Sequence, residues 1–390
     1  MDPVRNPYSP GAGSQPPALV GRDAHLDLMH FAIERLSIGR SERSVLLTGL
    51  RGVGKTVLLN EFGRFAESSG WITEHIEATE DIKLARALAV TIRAALLRMS
   101  TQERTKERAR RALGALAGFM KVRLTAAGGD LSINVEPVFG VADSGDLDRD
   151  LAAMFRELGE TAKQHGAGVL LTIDEVQYLP RSDFAALIVA LHRISQLNLP
   201  ILVTGAGLPS LPGLAGEAKS YAERLFTFSK VDSLSAPDAR TALVRPAQDE
   251  AVSWDDDALE EVVDQSQGYP YFLQEFGKQA WNAAEDPRIR LDDVRRSMDV
   301  AMAELDEGFF RARVDRTTDA ERDYLRAMAA VGGPGPYKSG QVARGMGKTT
   351  PQVGMVRDGL IKRGLCFAPR HGEIAFTVPL FDTYIRRAMT

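Results

Sequence analysis

Cysteine is almost absent from this chain: Cys366 is the only one in 390 residues. No intrachain disulfide can form, which suits a reducing cytoplasm. Long apolar runs are missing too, and none approaches the roughly 20 residues that span a bilayer, so no membrane partner is expected. Charge of one sign is scarce. A net charge of −4 excludes a uniformly basic nucleic-acid coat while leaving room for a local basic domain. Residues 1–17 lack an apolar core and are rich in Pro, Gly, Ser and Asn, which predicts a disordered tail and not a signal peptide. The remainder is ordinary in bulk. Its 44% hydrophobic and 26% charged content is that of a soluble globular protein, and the length calls for two or three domains.

What is present begins with G-L-R-G-V-G-K-T at residues 49–56, directly after the apolar run Ser44-Val45-Leu46-Leu47-Thr48. This is the phosphate-binding loop pattern between a buried strand and a helix. Gly49, Gly52 and Gly54 permit dihedrals that a Cβ forbids, so successive backbone N–H groups converge on one oxyanion. Leu50, Arg51 and Val53 complete the loop. The helix opening at Lys55, with Val57 in its first turn, adds a positive dipole end. Lys55 supplies a cation for the β- and γ-phosphates, and the Thr56 hydroxyl suits a Mg²⁺ shell. The pattern predicts a nucleoside triphosphate with Mg²⁺ as ligands.

Along the chain, alternating strands and helices over residues 18–235 predict a doubly wound α/β domain with a parallel sheet. Strands are expected at 44–48, 71–76, 168–173, 201–204 and 225–228, with helices at 82–99, 101–117 and 147–165. Within this domain residues 120–140 read differently. Val122, Leu124, Leu131, Ile133 and Val135 alternate with polar residues around Gly128-Gly129-Asp130, which predicts a hairpin insertion. Residues 236–315 read as helical throughout, a small lid packed on the sheet. Residues 316–390 read as a separate module.

The apolar run Gly168-Val169-Leu170-Leu171-Thr172-Ile173 ends in Asp174-Glu175. An acidic pair at a core strand end places Asp174 near the metal at Thr56 and Glu175 beside it as general base for the attacking water. Thr204 ends the next core strand, where it either positions water at the γ-phosphate or is a satisfied strand-end threonine. Arg224 precedes the last strand. It is either an arginine finger for a neighbouring subunit's nucleotide, which would imply an ATP-dependent homo-oligomer, or a surface arginine.

In the final module an amphipathic helix over 317–330 is followed by a short helix, a Gly345-Met346-Gly347 turn and a further helix. The last helix has Thr350 as cap and Pro351 in its first turn. Two short strands around Arg370-His371-Gly372 complete the pattern of a winged helix-turn-helix. From Tyr337 onward nine basic residues face three acidic ones, the local excess that phosphate contacts require. Lys348, Thr349 and Gln352 fall at the start of the recognition helix, Arg357 and Lys362 along it, and Arg370 at the wing tip, as candidate contacts to double-stranded DNA. Winged helices also dock protein, so a protein partner stays open. The basic run at 104–111 is interrupted by glutamate and has no interleaved aromatics, which marks a solvated helix face.

Taken together, these motifs resemble AAA+ ATPases of the origin-recognition and STAND-related kinds. Val20-Gly21-Arg22-Asp23 looks like the V-G-R-[DE] box that backs onto the adenine. Residues 49–56 match Walker A, Asp174-Glu175 match Walker B, and Thr204 falls at sensor 1. Gly268-Tyr269-Pro270 is similar to the G-x-P element of the STAND lid, which implies nucleotide contacts from Gly268 and Pro270. A sensor-2 arginine is not evident near Gly268, and this favours a STAND-like switch over a replication initiator. The resemblance implies an ATPase whose nucleotide state controls DNA engagement by the winged helix. The alternative is a signalling switch in which that module docks protein and not DNA.

Overall fold

Five short strands rich in leucine and β-branched residues build the central sheet: β1 (Ser44–Thr48), β2 (Ile72–Glu77), β3 (Val169–Asp174), β4 (Ile201–Gly207) and β5 (Phe226–Lys230). Their order is β2-β3-β4-β1-β5, and every neighbouring pair is parallel. The structure, a computed structural model, describes residues 1–11, 13–125, 138, 140–333 and 335–389. β1, β3 and β4 are buried along their whole length, which is why they read as unbroken apolar runs.

Successive side chains of β1 go to opposite faces. Val45 and Leu47 join the core of α1 (Asp23–Ser37) and α2 (Lys55–Ser68). Leu46 faces a second core made with α3 (Leu84–Met99), α4 (Glu103–Thr125), α5 (Leu147–His165), α6 (Arg181–Gln196) and α7 (Leu211–Ala218). With helices on both faces, this is the doubly wound α/β layer. Because the strands are parallel, the loop after β1 and the end of β3 emerge on one edge of the sheet.

Four helices follow: α8 (Ala236–Asp249), α9 (Asp256–Ser266), α10 (Pro270–Ala283) and α11 (Leu291–Glu304). The two-residue strands β6 (Ser253–Trp254) and β7 (Arg288–Ile289) pair between them. Ser235 caps α8 by accepting the Asp238 N–H. A π-helical turn, Leu305–Arg311, leads into α12 (Ala312–Val314). It turns Phe309 onto Tyr271, ring centroids 4.6 Å apart, and Phe310 onto Tyr384 and Phe381 at 5.1 and 5.6 Å. One aromatic core therefore runs from the lid into the C-terminal module.

That module contains α13 (Asp319–Val331), β8 (Tyr337–Lys338), α14 (Ser339–Gly345), a 3-10 turn (Pro351–Val353), α15 (Gly354–Lys362), β9 (Cys366–Phe367), β10 (Glu373–Phe376) and α16 (Phe381–Ala388). β10 pairs antiparallel with both β8 and β9. Thr318 and Glu321 form a capping box at the start of α13. Cys366 is buried, 3.7 Å from the Met328 sulfur, and burial pushes its thiol pKa up. Among the described residues no helix is long and apolar enough to cross a membrane.

Two expectations are corrected. The segment read as a disordered tail is packed: Pro3–Arg5 forms a 3-10 turn capped by Asp2. The Trp281 indole donates to the Asp2 carbonyl at 3.0 Å, and Tyr8 enters the lid core with 3% of its surface exposed. Composition judges whether a segment can build its own core. One aromatic side chain lent to another core suffices instead, contributing about 2 to 3 kcal/mol. In the expected hairpin, Val122 and Leu124 belong to α4, because the alanine- and leucine-rich run before them carries the helix through. Leu131, Ile133 and Val135 lie outside the described residues.

Candidate active site

The loop after β1 is shaped by close backbone passages. A Cβ on Gly49 would lie 2.2 Å from the Val231 carbonyl, so only glycine passes there. Gly52 and Gly54 have φ of 82° and 94°, the left-handed region open to glycine. Lys55 follows at the first position of α2. Its Nζ donates to the carbonyls of Gly49 at 3.0 Å and Leu50 at 2.7 Å. Burial lowers its pKa to about 8, against the pull of Glu175 and Asp174.

The Thr56 hydroxyl donates to Asp174 Oδ2 at 2.6 Å, so the loop and the end of β3 meet. The other oxygen of Asp174 accepts the Glu175 N–H at 2.8 Å. Glu175 has a left-handed backbone, φ 52° and ψ 41°. Its carboxylate lies 3.4 Å from the Arg51 guanidinium and accepts a hydrogen bond from Gln177. On the neighbouring strand Glu77 stands in register with Asp174.

These groups line a cavity of about 580 Å³, a size that suits a nucleotide. Lys55, Thr56 and Val57 line it from α2, Asp174 and Glu175 from the end of β3, and Pro270, Tyr271, Leu273, Gln274 and Arg313 from α10 and α12. Ala18, Leu19, Val20 and Leu234 add apolar lining. A glycine cradle, a buried cation and a hydroxyl hydrogen-bonded to a carboxylate fit a Mg²⁺-bound triphosphate in the kind of donors they offer.

Of the other expected nucleotide residues, Val20, Arg22, Arg51, Gly52, Val53 and Gly54 also line the cavity. The Arg22 guanidinium donates to the carbonyls of Val53 at 2.9 Å and Asp232 at 2.8 Å. It braces the loop. Gly21, at φ 65°, makes room for Asp238, whose carboxylate a Cβ would approach to 2.7 Å. Gly268 belongs to the seam between lid and sheet, where a Cβ would sit 2.3 Å from the Leu234 carbonyl.

Two expected catalytic residues lie outside this cavity, and of these Arg224 was expected at a neighbouring subunit's nucleotide and not at this one. Thr204 is buried in the middle of β4, and its hydroxyl donates to the Val45 carbonyl at 2.7 Å. It therefore does not end its strand or face the cavity. Arg224 follows the opposite edge of the sheet. The carbonyl of the next residue, Leu225, accepts the N–H of Ser44 at the start of β1, the five-residue strand whose length, about 16 Å, separates that edge from the loop. Arg224 lines a second cavity of about 300 Å³ with Arg35 and Arg43.

One site residue, Arg313, carried no sequence signal. Arg313 reaches the cavity from α12, its guanidinium 4.0 Å from the Phe309 ring centroid. Burial and the nearby Arg51 lower its pKa. Tyr269, inside the motif whose flanking residues were singled out, lies over Gly52, where a Cβ would come 3.0 Å from its ring. Among the described residues its buried hydroxyl has no hydrogen-bond partner.

The C-terminal module touches the loop directly. The Arg51 N–H donates to the Thr377 carbonyl at 3.0 Å, and Arg51 Nη2 donates to the Tyr178 hydroxyl at 2.8 Å. Leu50 packs against Leu208, Phe367 and Ala375. Of the candidate DNA contacts, Lys348, Thr349, Gln352, Lys362 and Arg370 are exposed. Arg357 differs, because its guanidinium lies 3.2 Å from Asp358 and donates to the Glu373 carbonyl at 3.3 Å, bracing α15 on β10.

Residues 18–204 match the AAA ATPase domain. The protein carries an AAA ATPase domain. Residues 307–385 match a domain of unknown function, DUF8462. Among solved structures, a Walker-type ATPase of Pyrococcus abyssi is similar over 97% of this chain and 99% of its own, at 18% identity and a TM-score of 0.56. The ORC1 protein of Aeropyrum pernix, in complex with DNA, matches over 99% and 96% at 16% identity and a TM-score of 0.48. The RuvB Holliday junction branch migration motor of Thermotoga maritima matches over 91% and 92% at 16% identity and 0.45. No curated protein matches the chain. The likeness to the Pyrococcus protein is one of fold.

Proposed function

We propose that the protein is an ATP-hydrolysing switch of the AAA+/STAND-like kind, whose nucleotide state controls how its C-terminal module, read as a winged helix, engages double-stranded DNA. The observation that carries this reading is the hold of that module on the phosphate loop: Thr377 takes the Arg51 N–H while the Arg51 side chain pairs with Glu175. Freeing the carboxylate and loosening the module are then one movement.

In this reading Lys55 pairs with the β- and γ-phosphates, and Thr56 and Asp174 hold Mg²⁺. The metal, when bound, neutralises charge on the phosphate oxygens. Glu175 leaves Arg51 and Gln177 and takes a proton from water as the water oxygen attacks the γ-phosphorus. The bond to the ADP oxygen breaks, and ADP leaves with that electron pair. Arg313 adds a second cation from the lid side.

The exposed Lys348, Lys362 and Arg370 supply charge for DNA phosphates. A second reading, in which the module docks protein and never meets DNA, is favoured by the bracing role of Arg357 and by the apolar seam at Leu50. Anisotropy of a labelled duplex, titrated with and without a non-hydrolysable ATP analogue and Mg²⁺, separates the two. The DNA reading expects affinity that falls steeply with salt and differs at least about fivefold between nucleotide states. No salt-dependent binding in either state leaves the protein-docking reading.

A further inference from the structure

The segment that composition marked as a tail crosses from the lid to α2 along the nucleotide cavity. Its lid end is deeply held. Tyr8 is 3% exposed, its hydroxyl bonds to the Leu243 carbonyl, and the Trp254 indole donates to it at 2.9 Å. Gly277 leaves space for the ring, since a Cβ there would lie 3.0 Å from it. The Ser9 N–H adds a bond to Gln274 Oε1 at 3.1 Å.

Among the described residues, the side-chain hydrogen bonds at the far end are exposed ones. Asn60 Nδ2 donates to the Gly13 carbonyl at 3.4 Å, Gln15 Nε2 donates to Glu61 Oε1 at 3.1 Å, and Arg64 donates to the Gln15 side chain. Gly13, at φ 73°, runs against the Thr56 methyl, where a Cβ would come within 2.9 Å. Ser9, Pro10, Gly11, Ser14 and Pro16 line the same cavity as Lys55 and Thr56.

We infer that this segment is a strap belonging to the nucleotide site, one that encloses the bound nucleotide and sets its release by swinging off α2 about Tyr8. The inference rests on the reading of the cavity as the ATP site. Exposed polar bonds exchange for water at little cost, whereas a buried, hydrogen-bonded aromatic ring does not. Opening therefore begins at Gly13 and Gln15, beside Thr56, while Tyr8 stays in the lid. Because the strap is rooted in the lid, any tilt of the lid moves it, which links lid position to nucleotide exchange.

The test joins the weak end. In a Gln15→Cys, Glu61→Cys protein loaded with a fluorescent ATP analogue and Mg²⁺, the two thiols are bridged by a short cleavable linker. Release is then timed by displacement with excess ATP. The bridged protein should release the analogue at least about tenfold more slowly than the unbridged one, and cleavage of the linker should restore the rate. Equal release from bridged and unbridged protein overturns the strap. If the unaltered protein takes up no analogue at all, it is the ATP-site reading that fails.

Discussion

The backbone N–H of Arg51, inside the glycine-rich loop, lies 3.0 Å from the carbonyl oxygen of Thr377, which follows the last strand of the C-terminal module. Thr377 is itself fixed, its hydroxyl donating to the carbonyls of Gly364 at 2.8 Å and Leu365 at 3.1 Å. The loop and the hairpin of β9 and β10 are therefore joined through main-chain atoms.

Gly364 makes that joint testable. A Cβ there would lie 2.6 Å from Arg51 Nη2 and 2.8 Å from the Tyr178 hydroxyl, whereas one on Gly372 would meet nothing within 4 Å; both residues have positive φ. Gly364→Ala should loosen the module from the loop, and Gly372→Ala carries a similar backbone strain without the clash. Hydrogen exchange at residues 49–54 is expected to rise only in Gly364→Ala, by a factor corresponding to about 1 to 3 kcal/mol. Equal exchange in the two variants would separate loop and module.

Lys55 should impose a pH dependence. Its pKa is lowered by burial from 10.5 to about 8. Between those values the unfolded chain holds the proton and the folded one does not, so this group makes stability rise with pH across that window. ATP requires the charged form. Affinity should fall by up to about tenfold per pH unit above 8, with proton uptake on binding. Calorimetry in buffers of different ionisation heat measures the uptake, and Lys55→Met should remove it along with tight binding. Binding above pH 8 without uptake would mean the amine is already charged.

Glu175→Gln is expected to keep ATP binding while slowing single-turnover hydrolysis about a hundredfold or more. A parental rate would remove Glu175 from the role of base. Arg51→Ala frees that carboxylate from its ion pair, and basal turnover should rise about threefold or more. A fall instead would assign Arg51 to the bound phosphates.

On the C-terminal module, Lys362→Ala and Arg370→Ala should each reduce the slope of log affinity for duplex DNA against log salt by about one. Arg357→Ala should leave the slope unchanged and lower stability by about 1 kcal/mol, because its bonds are internal. Thermal melts beside the salt titrations distinguish these effects.

Much of the α/β layer was legible in the sequence, because β1, β3 and β4 are buried on both faces and had to be apolar throughout. The meeting of Thr56 with Asp174 was legible for a related reason, since parallel strands deliver both to one edge. Thr204 was misplaced because the expected strand stopped there, short of Gly205, Ala206 and Gly207. They continue β4 as small residues because Val176 and Gln177 crowd them: a Cβ on Gly205 or Gly207 would come within 2.7 or 2.8 Å of those side chains. Tyr8 and Arg313 were invisible for want of any local pattern. Their positions depend on packing between segments far apart in the chain, and the docking of Thr377 on Arg51 uses backbone groups that every residue type carries.

The burial of Cys366 has a practical result. A thiol shut inside the module beneath Met328 and held protonated by its surroundings will ignore maleimide dyes that capture an exposed cysteine at once. Fluorophore pairs can therefore be attached to chosen surface positions on α2, the lid and α15 of the otherwise native chain. Energy transfer between them would follow the three parts through a turnover cycle, one molecule at a time.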